Sequence, residues 1–129
     1  MRVYHGRGLR KKGGTGGKRR KHQDKKLRHV GGEFTAPKVA EEKEVRVLVG
    51  RRGNGKKVKL KQVAYANVVA EAGKVKRAKI RTVIETPDNR HYARQNIITK
   101  GAIIDTELGK VKVTSRTGQD GVVNGILVK

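Results

Sequence analysis

The chain has 129 residues, enough for one domain and too few for a nucleotide-hydrolysing α/β domain with its crossover helices. Lys and Arg total 33 against 11 Asp and Glu, a formal charge of +22, so self-repulsion disfavours the compact state until a polyanion neutralises it. Cysteine is absent, which excludes disulfides and thiolate metal sites, and no apolar run approaches membrane-spanning length.

Nucleic acid is the leading partner for such a charge. An anionic membrane surface would attract it too, but no basic amphipathic helix with Trp or Leu on one face is visible. The first residues, MRVYHGRGLRKKGG, hold no apolar signal-peptide core, so a cytoplasmic location is expected. Tyr4, Phe34, Tyr65 and Tyr92 are the only aromatics, too few for a single-strand binder built on rows of stacking rings.

In chain order, residues 1–32 come first. They are basic, rich in glycine and almost without acid, Asp24 being the exception. Their apolar residues are too sparse to form a core face, so burial cannot offset the entropy of ordering. This favours an extended, largely irregular arm that folds against phosphate. Its candidate contacts are Arg7, Arg10, Lys11, Lys12, Lys18, Arg19, Arg20, Lys21, Lys25, Lys26 and Arg28. Once neutralised, the stretch from Lys18 to Arg28 is expected to be capable of a short helix. Arm and linker together take residues 1–43, and a β body takes residues 44–129.

From about residue 44 the pattern becomes period-two alternation broken by turns. The segment VLVGRRGNGKKVKL at 47–60 contains Gly50, Gly55 and Lys56 at the spacing of a nucleotide-binding loop. Three features oppose that reading. Lys57 stands where the motif needs Ser or Thr for magnesium, an alternating strand follows where a helix N-terminus is required, and no second acidic ligand is placed. A hairpin tip uses the same residues better. Glycine lets backbone approach a phosphate closely, and Arg51, Arg52, Lys56 and Lys57 point charge outward.

AYANVVA at 64–70, a turn over Glu71, Ala72, Gly73 and Lys74, and VKRAKIRTVIET at 75–86 come next. A loop opens at Pro87 and carries Arg90, His91 and Arg94, which join the candidate RNA contacts. AIIDTEL, a turn at Gly109 and Lys110, VKVTSRT, a turn over 118–121 and VVNGILVK complete the chain. About six or seven short strands with no convincing helix indicate an all-β, small antiparallel barrel-like domain.

Other chemistry is thin. His5, His22, His29 and His91 lack paired metal-ligand spacing, so no metal is expected. Asp105 and Glu107 are placed on one strand face like an acid/base pair, yet Lys100, Lys110 and Lys112 nearby favour ordinary charge pairing. Ser115, the chain's one serine, precedes Arg116, and this segment reads as a phosphate contact rather than a nucleophile.

The segments NIITKGAIIDTELGK at 96–110 and VTSRTGQDGVVN at 113–124 closely resemble the signature of the eukaryote-type eighth protein of the small ribosomal subunit, a family shared by archaea and eukaryotes. Similarity runs from about Glu85 onward and, more loosely, through Gly6 to Lys11 and Val49 to Leu60. Gly8 replaces the family's usual Ser, and residues 22–37 depart from its basic pattern. The short length without a large internal insertion resembles the archaeal form. The resemblance implies a β-barrel-like body with an extended arm, both bound to small-subunit rRNA among neighbouring ribosomal proteins. It implies no catalysis, no cofactor and no small-molecule substrate. Two rivals share the charge: a free nucleic-acid chaperone or compacting protein, and a phosphate-handling enzyme built on the 47–60 loop.

Overall fold

The computed structural model describes residues 3–20, 23–70 and 73–128, with Arg52 described by its backbone only. The chain divides into two units, Met1–Phe34 and Thr35–Lys129.

In the first unit, β1 (Val3–Tyr4) pairs antiparallel with β2 (Val30–Gly31). A 3-10 turn, Leu27–His29, leads into β2. Between the strands, Arg10 bridges Lys18, the Lys11 N–H donates to Gly17 O at 2.9 Å, and the Arg19 N–H donates to Leu9 O at 2.8 Å. Short ladders are what a segment without an apolar face can form, because backbone pairing needs no side-chain burial. The stretch from Lys18 to Arg28 contains that one 3-10 turn and no α-helix among its described residues.

The second unit is built on a closed barrel of β6 (Tyr65–Val69), β7 (Val75–Glu85), β8 (Ile103–Thr106), β9 (Gly109–Val113) and β10 (Asn124–Leu127). Consecutive strands pair antiparallel, as the alternation led us to expect. The closing pair, β10 with β6, is parallel. An odd number of strands joined as a meander returns the last strand in the direction of the first, so closure has no antiparallel solution. The small antiparallel barrel expected from the sequence is the one observed, with this one pair as its parallel seam.

Period-two alternation puts Ala66, Val68, Ala78, Ile80, Ile104, Val111 and Val113 inside. Gly125 on β10 is part of the same packing. A Cβ there would run into Val111 Cγ1 and stand 2.9 Å from Lys112 O. Leu60, Val63, Ile98 and Val123 extend the core beyond the barrel strands.

A second sheet carries the opening segment. Here β4 (Val45–Gly50) pairs antiparallel with β5 (Lys56–Val63), and β3 (Lys38–Val39) pairs parallel on the other side of β5. Residues 37–40 are tied firmly into this unit: the Ile98 N–H donates to Pro37 O, the Val39 N–H to Asn96 O and the Ala40 N–H to Val63 O, at 2.8 to 3.0 Å. The segment before residue 44 therefore includes a strand as well as linker.

Two short helices lie in the region expected to have none, α1 (Arg90–Arg94) and α2 (Thr117–Asp120). A helix of a single turn is too short to show a 3.6-residue apolar period, so caps rather than pattern define it. Asn89 caps α1, its Oδ1 accepting from the His91 N–H at 3.0 Å. The hairpin between β8 and β9 turns at Glu107 and Leu108 rather than at Gly109 and Lys110, with Thr106 Oγ1 donating to Gly109 O at 2.8 Å. Of the turn expected over 71–74, Glu71 and Ala72 lie outside the described residues. Its base is closed by the Ala70 N–H donating to Lys74 O at 2.9 Å.

Candidate nucleic-acid interface

The GRRGNGKK segment forms the end of the β4–β5 hairpin. Val49 faces Lys57 and Gly50 faces Lys56 in register. A 3-10 turn over Arg52–Asn54 reverses the chain, Gly53 and Asn54 taking φ of 74° and 62°. The Arg51 N–H donates to Gly55 O at 2.7 Å and closes the turn. Lys56 continues into a strand, so no helix N-terminus faces the glycines, and the phosphate cradle of a nucleotide loop is not formed.

Arg51 and Lys56 are exposed at this tip. Lys57 is half-buried and its Nζ donates to Gln119 Oε1 at 3.0 Å, so this ammonium joins the hairpin to α2. On the neighbouring strand, Arg46 Nε donates to Gly121 O at 3.1 Å. These two bonds bring the hairpin and the α2 corner together, with exposed Arg116 at the helix N-cap. The Arg116 N–H is held by Asp120 Oδ2 at 2.8 Å, fixing the backbone that carries the guanidinium.

The loop after Pro87 presents Arg90, His91 and Arg94, all exposed, on the single turn of α1. Arg90 and Arg94 are four residues apart and so share one helix face. Thr86 Oγ1 donates to Asn89 O at 2.5 Å, and the Ile97 N–H donates to Tyr92 O at 2.9 Å, anchoring both ends of the turn.

In the first unit, Arg7, Arg10, Lys11, Lys12, Lys18, Arg20, Lys25, Lys26 and Arg28 are exposed and Arg19 is half-buried. Lys21 lies outside the described residues. Lys25 Nζ stands 5.7 Å from the Tyr4 ring centroid, and His29 meets the same ring edge-on at 5.8 Å. The backbone hydrogen bonds Lys11 N–H to Gly17 O, Gly16 N–H to Gly13 O and Arg19 N–H to Leu9 O hold Lys11 and Lys18 on opposite sides of one loop.

The suspected acid/base pair does not share a strand face, because Glu107 sits in the turn while Asp105 is opposite Lys110 on β8 and β9. Ser115 is occupied by structure: its Oγ donates to Val122 O and accepts from the Asn124 N–H, both at 2.9 Å. It is a brace for β10, and the phosphate-contact reading of this side chain is withdrawn. Among the described residues no group of three His, Asp or Glu is placed to hold a metal ion, and no described helix is long and apolar enough to cross a membrane.

Sequence reading missed the outer wall of the barrel. Arg77, Lys79 and Arg81 alternate with buried Ala78 and Ile80, and their spacing in KRAKIR was the available signal. Arg77 Cζ lies 4.1 Å from the Tyr65 ring centroid. Lys59 and Lys61 alternate around Leu60 on β5 in the same way.

The family model described as ribosomal protein S8e matches residues 6–128. The chain belongs to the ribosomal protein S8e family. Its relatives include the small ribosomal subunit protein eS8 of Hyperthermus butylicus, 48% identical over 130 residues, covering all of this chain and 94% of the relative. The eS8 proteins of Staphylothermus marinus and Sulfurisphaera tokodaii are 47% and 48% identical, again across the whole chain and 99% of each relative. The likeness seen in residues 96–124 thus extends through the arm, and the relatives are of the archaeal form. These relatives carry the name of a protein of the small ribosomal subunit.

Proposed function

We propose that the protein is a structural component of the cytoplasmic small ribosomal subunit, holding rRNA through its basic first unit and through three exposed stations on the second. Those stations are the tip at Arg51 and Lys56, the α1 turn at Arg90, His91 and Arg94, and Arg116 beside α2. One observation carries the reading: each station is a short, hydrogen-bonded turn on a rigid β frame, with its cations directed to solvent. Cations held so close on fixed backbone suit converging phosphates, and the glycines at the tip allow close approach.

Contacts of this kind read backbone and shape more than base sequence. Neutralising about eight phosphates gives a slope of log K against log salt of roughly −6. Titrating a small-subunit rRNA transcript at several salt concentrations measures it, and a slope near zero would refute the electrostatic account. Sedimentation separates this role from free nucleic-acid compaction. Co-migration with small subunits at high salt is the expected result, with neighbouring ribosomal proteins as the remaining partners. Nucleotide titration of the intact protein is expected to show no binding, as the hairpin geometry requires.

A further inference from the structure

A polar recess of about 260 Å³ opens between the second sheet and the barrel wall. Buried Leu60 and Val63 are part of its lining. Tyr65 and Asn67 come from the outer face of β6, Arg77 from β7, and Glu44 and Arg46 from the start of β4. The Arg77 guanidinium lies on the Tyr65 ring, yet its side chain is 62% exposed, so one planar face is supported and the other is open.

Glu44 is unusual in this setting. It is a carboxylate with only 16% of its side chain exposed, on a chain of charge +22. Its Oε2 takes Arg46 Nη2 at 2.7 Å, but its Oε1 is 3.9 Å from Arg77 Nη2, beyond hydrogen-bond length. That oxygen retains acceptor capacity. Asn67 Nδ2 donates to Asn124 Oδ1 at 3.1 Å, which leaves the Asn67 Oδ1 and a second N–H for another partner.

A carboxylate repels phosphate, and with one oxygen already held by Arg46 its other oxygen would favour the donor edge of a base over an RNA backbone. Unpaired RNA bases stack on arginine planes and are read along their Watson–Crick edges. Guanine has adjacent N1–H and N2–H donors on that edge, and a carboxylate accepts such a pair where adenine and uracil cannot supply one.

We propose that this recess holds one unpaired guanine of the bound RNA, stacked on the outer face of Arg77 and read by Glu44, with Asn67 at its side. The volume suits a base, leaving ribose and phosphate at the mouth. The site rests on the rRNA-binding reading above.

The test uses the full chain bound to a small-subunit rRNA transcript, with a 1,2-dicarbonyl reagent that modifies N1 and N2 of unpaired guanines. Wild-type protein is expected to protect one guanine that becomes reactive again in complexes of Glu44→Gln and Arg77→Ala. Glu44→Gln is decisive because it removes a negative charge. Electrostatics alone makes its RNA binding equal or tighter, whereas loss of the base contact weakens it, by about tenfold if the base also unstacks. Tyr65→Phe keeps the platform and is expected to retain protection, and circular dichroism checks that each variant keeps its β fold. If Glu44→Gln binds as tightly as wild type, or no guanine changes reactivity between the two complexes, the base site is overturned while the rRNA reading stands. If wild type shows no salt-dependent binding at all, the rRNA reading falls and takes the base site with it.

Discussion

Arg51 and Lys56 flank a turn whose backbone is fixed by its own hydrogen bond, so their side chains contribute charge without contributing to the fold. Replacing both with alanine should make the salt slope less negative by roughly 2 and leave unfolding free energy within about 0.5 kcal/mol of wild type. Parallel salt titration and urea denaturation check the two halves of that statement. Gly121 is the opposite kind of residue. It ends α2 with φ of 71°, and a Cβ there would stand 2.7 Å from Val58 Cγ1. Gly121→Ala should cost roughly 1 to 3 kcal/mol, read as a lowered urea midpoint. The same change should also weaken RNA binding, because the Gly121 carbonyl and Gln119 tie the hairpin to this corner.

At the scale of elements, the short strand β3 decides where the second unit begins. Pro37 is buried, and three backbone bonds fasten residues 37–40 to β5 and to the segment after α1. We therefore expect a fragment of residues 35–129 to unfold cooperatively. A fragment of residues 44–129 should have a lower urea midpoint, since it exposes the free edge of β5 and part of the core. Equal midpoints for the two would show that β3 adds nothing. The brace at Ser115 belongs to this scale as well. Ser115→Ala leaves the Asn124 N–H without its acceptor at the start of β10, at a cost of about 1 kcal/mol.

For the whole molecule, net charge sets two opposite responses to salt. Self-repulsion at +22 is screened as ionic strength rises, so the thermal midpoint of the free protein should increase. Affinity for rRNA should fall over the same range, because each counterion released into more concentrated salt gains less entropy. Calorimetry beside binding titrations tests the pair. A midpoint that falls with added salt would mean that internal ion pairs, such as Glu44 with Arg46, outweigh the repulsion.

Composition and alternation by themselves determined that the chain is basic and all-β, with a glycine-rich segment at 50–56 that forms a hairpin tip. These are properties of charge and of period-two burial, both written locally, and so is the family signature at 96–124. Tertiary structure decided the rest. The parallel seam follows from counting strands around a closed ring, which no single strand records. The two helices depend on caps and neighbours rather than on period. Lys57 looked like one more free charge until the fold set Gln119 against it, and Ser115 looked like a surface hydroxyl until β10 arrived beside it. The recess at Glu44, Tyr65 and Arg77 unites residues 12 to 33 positions apart in the chain, so its chemistry exists only once the second sheet lies against the barrel. Charge and period are read residue by residue, whereas a site is a distance, and distances are fixed by closure.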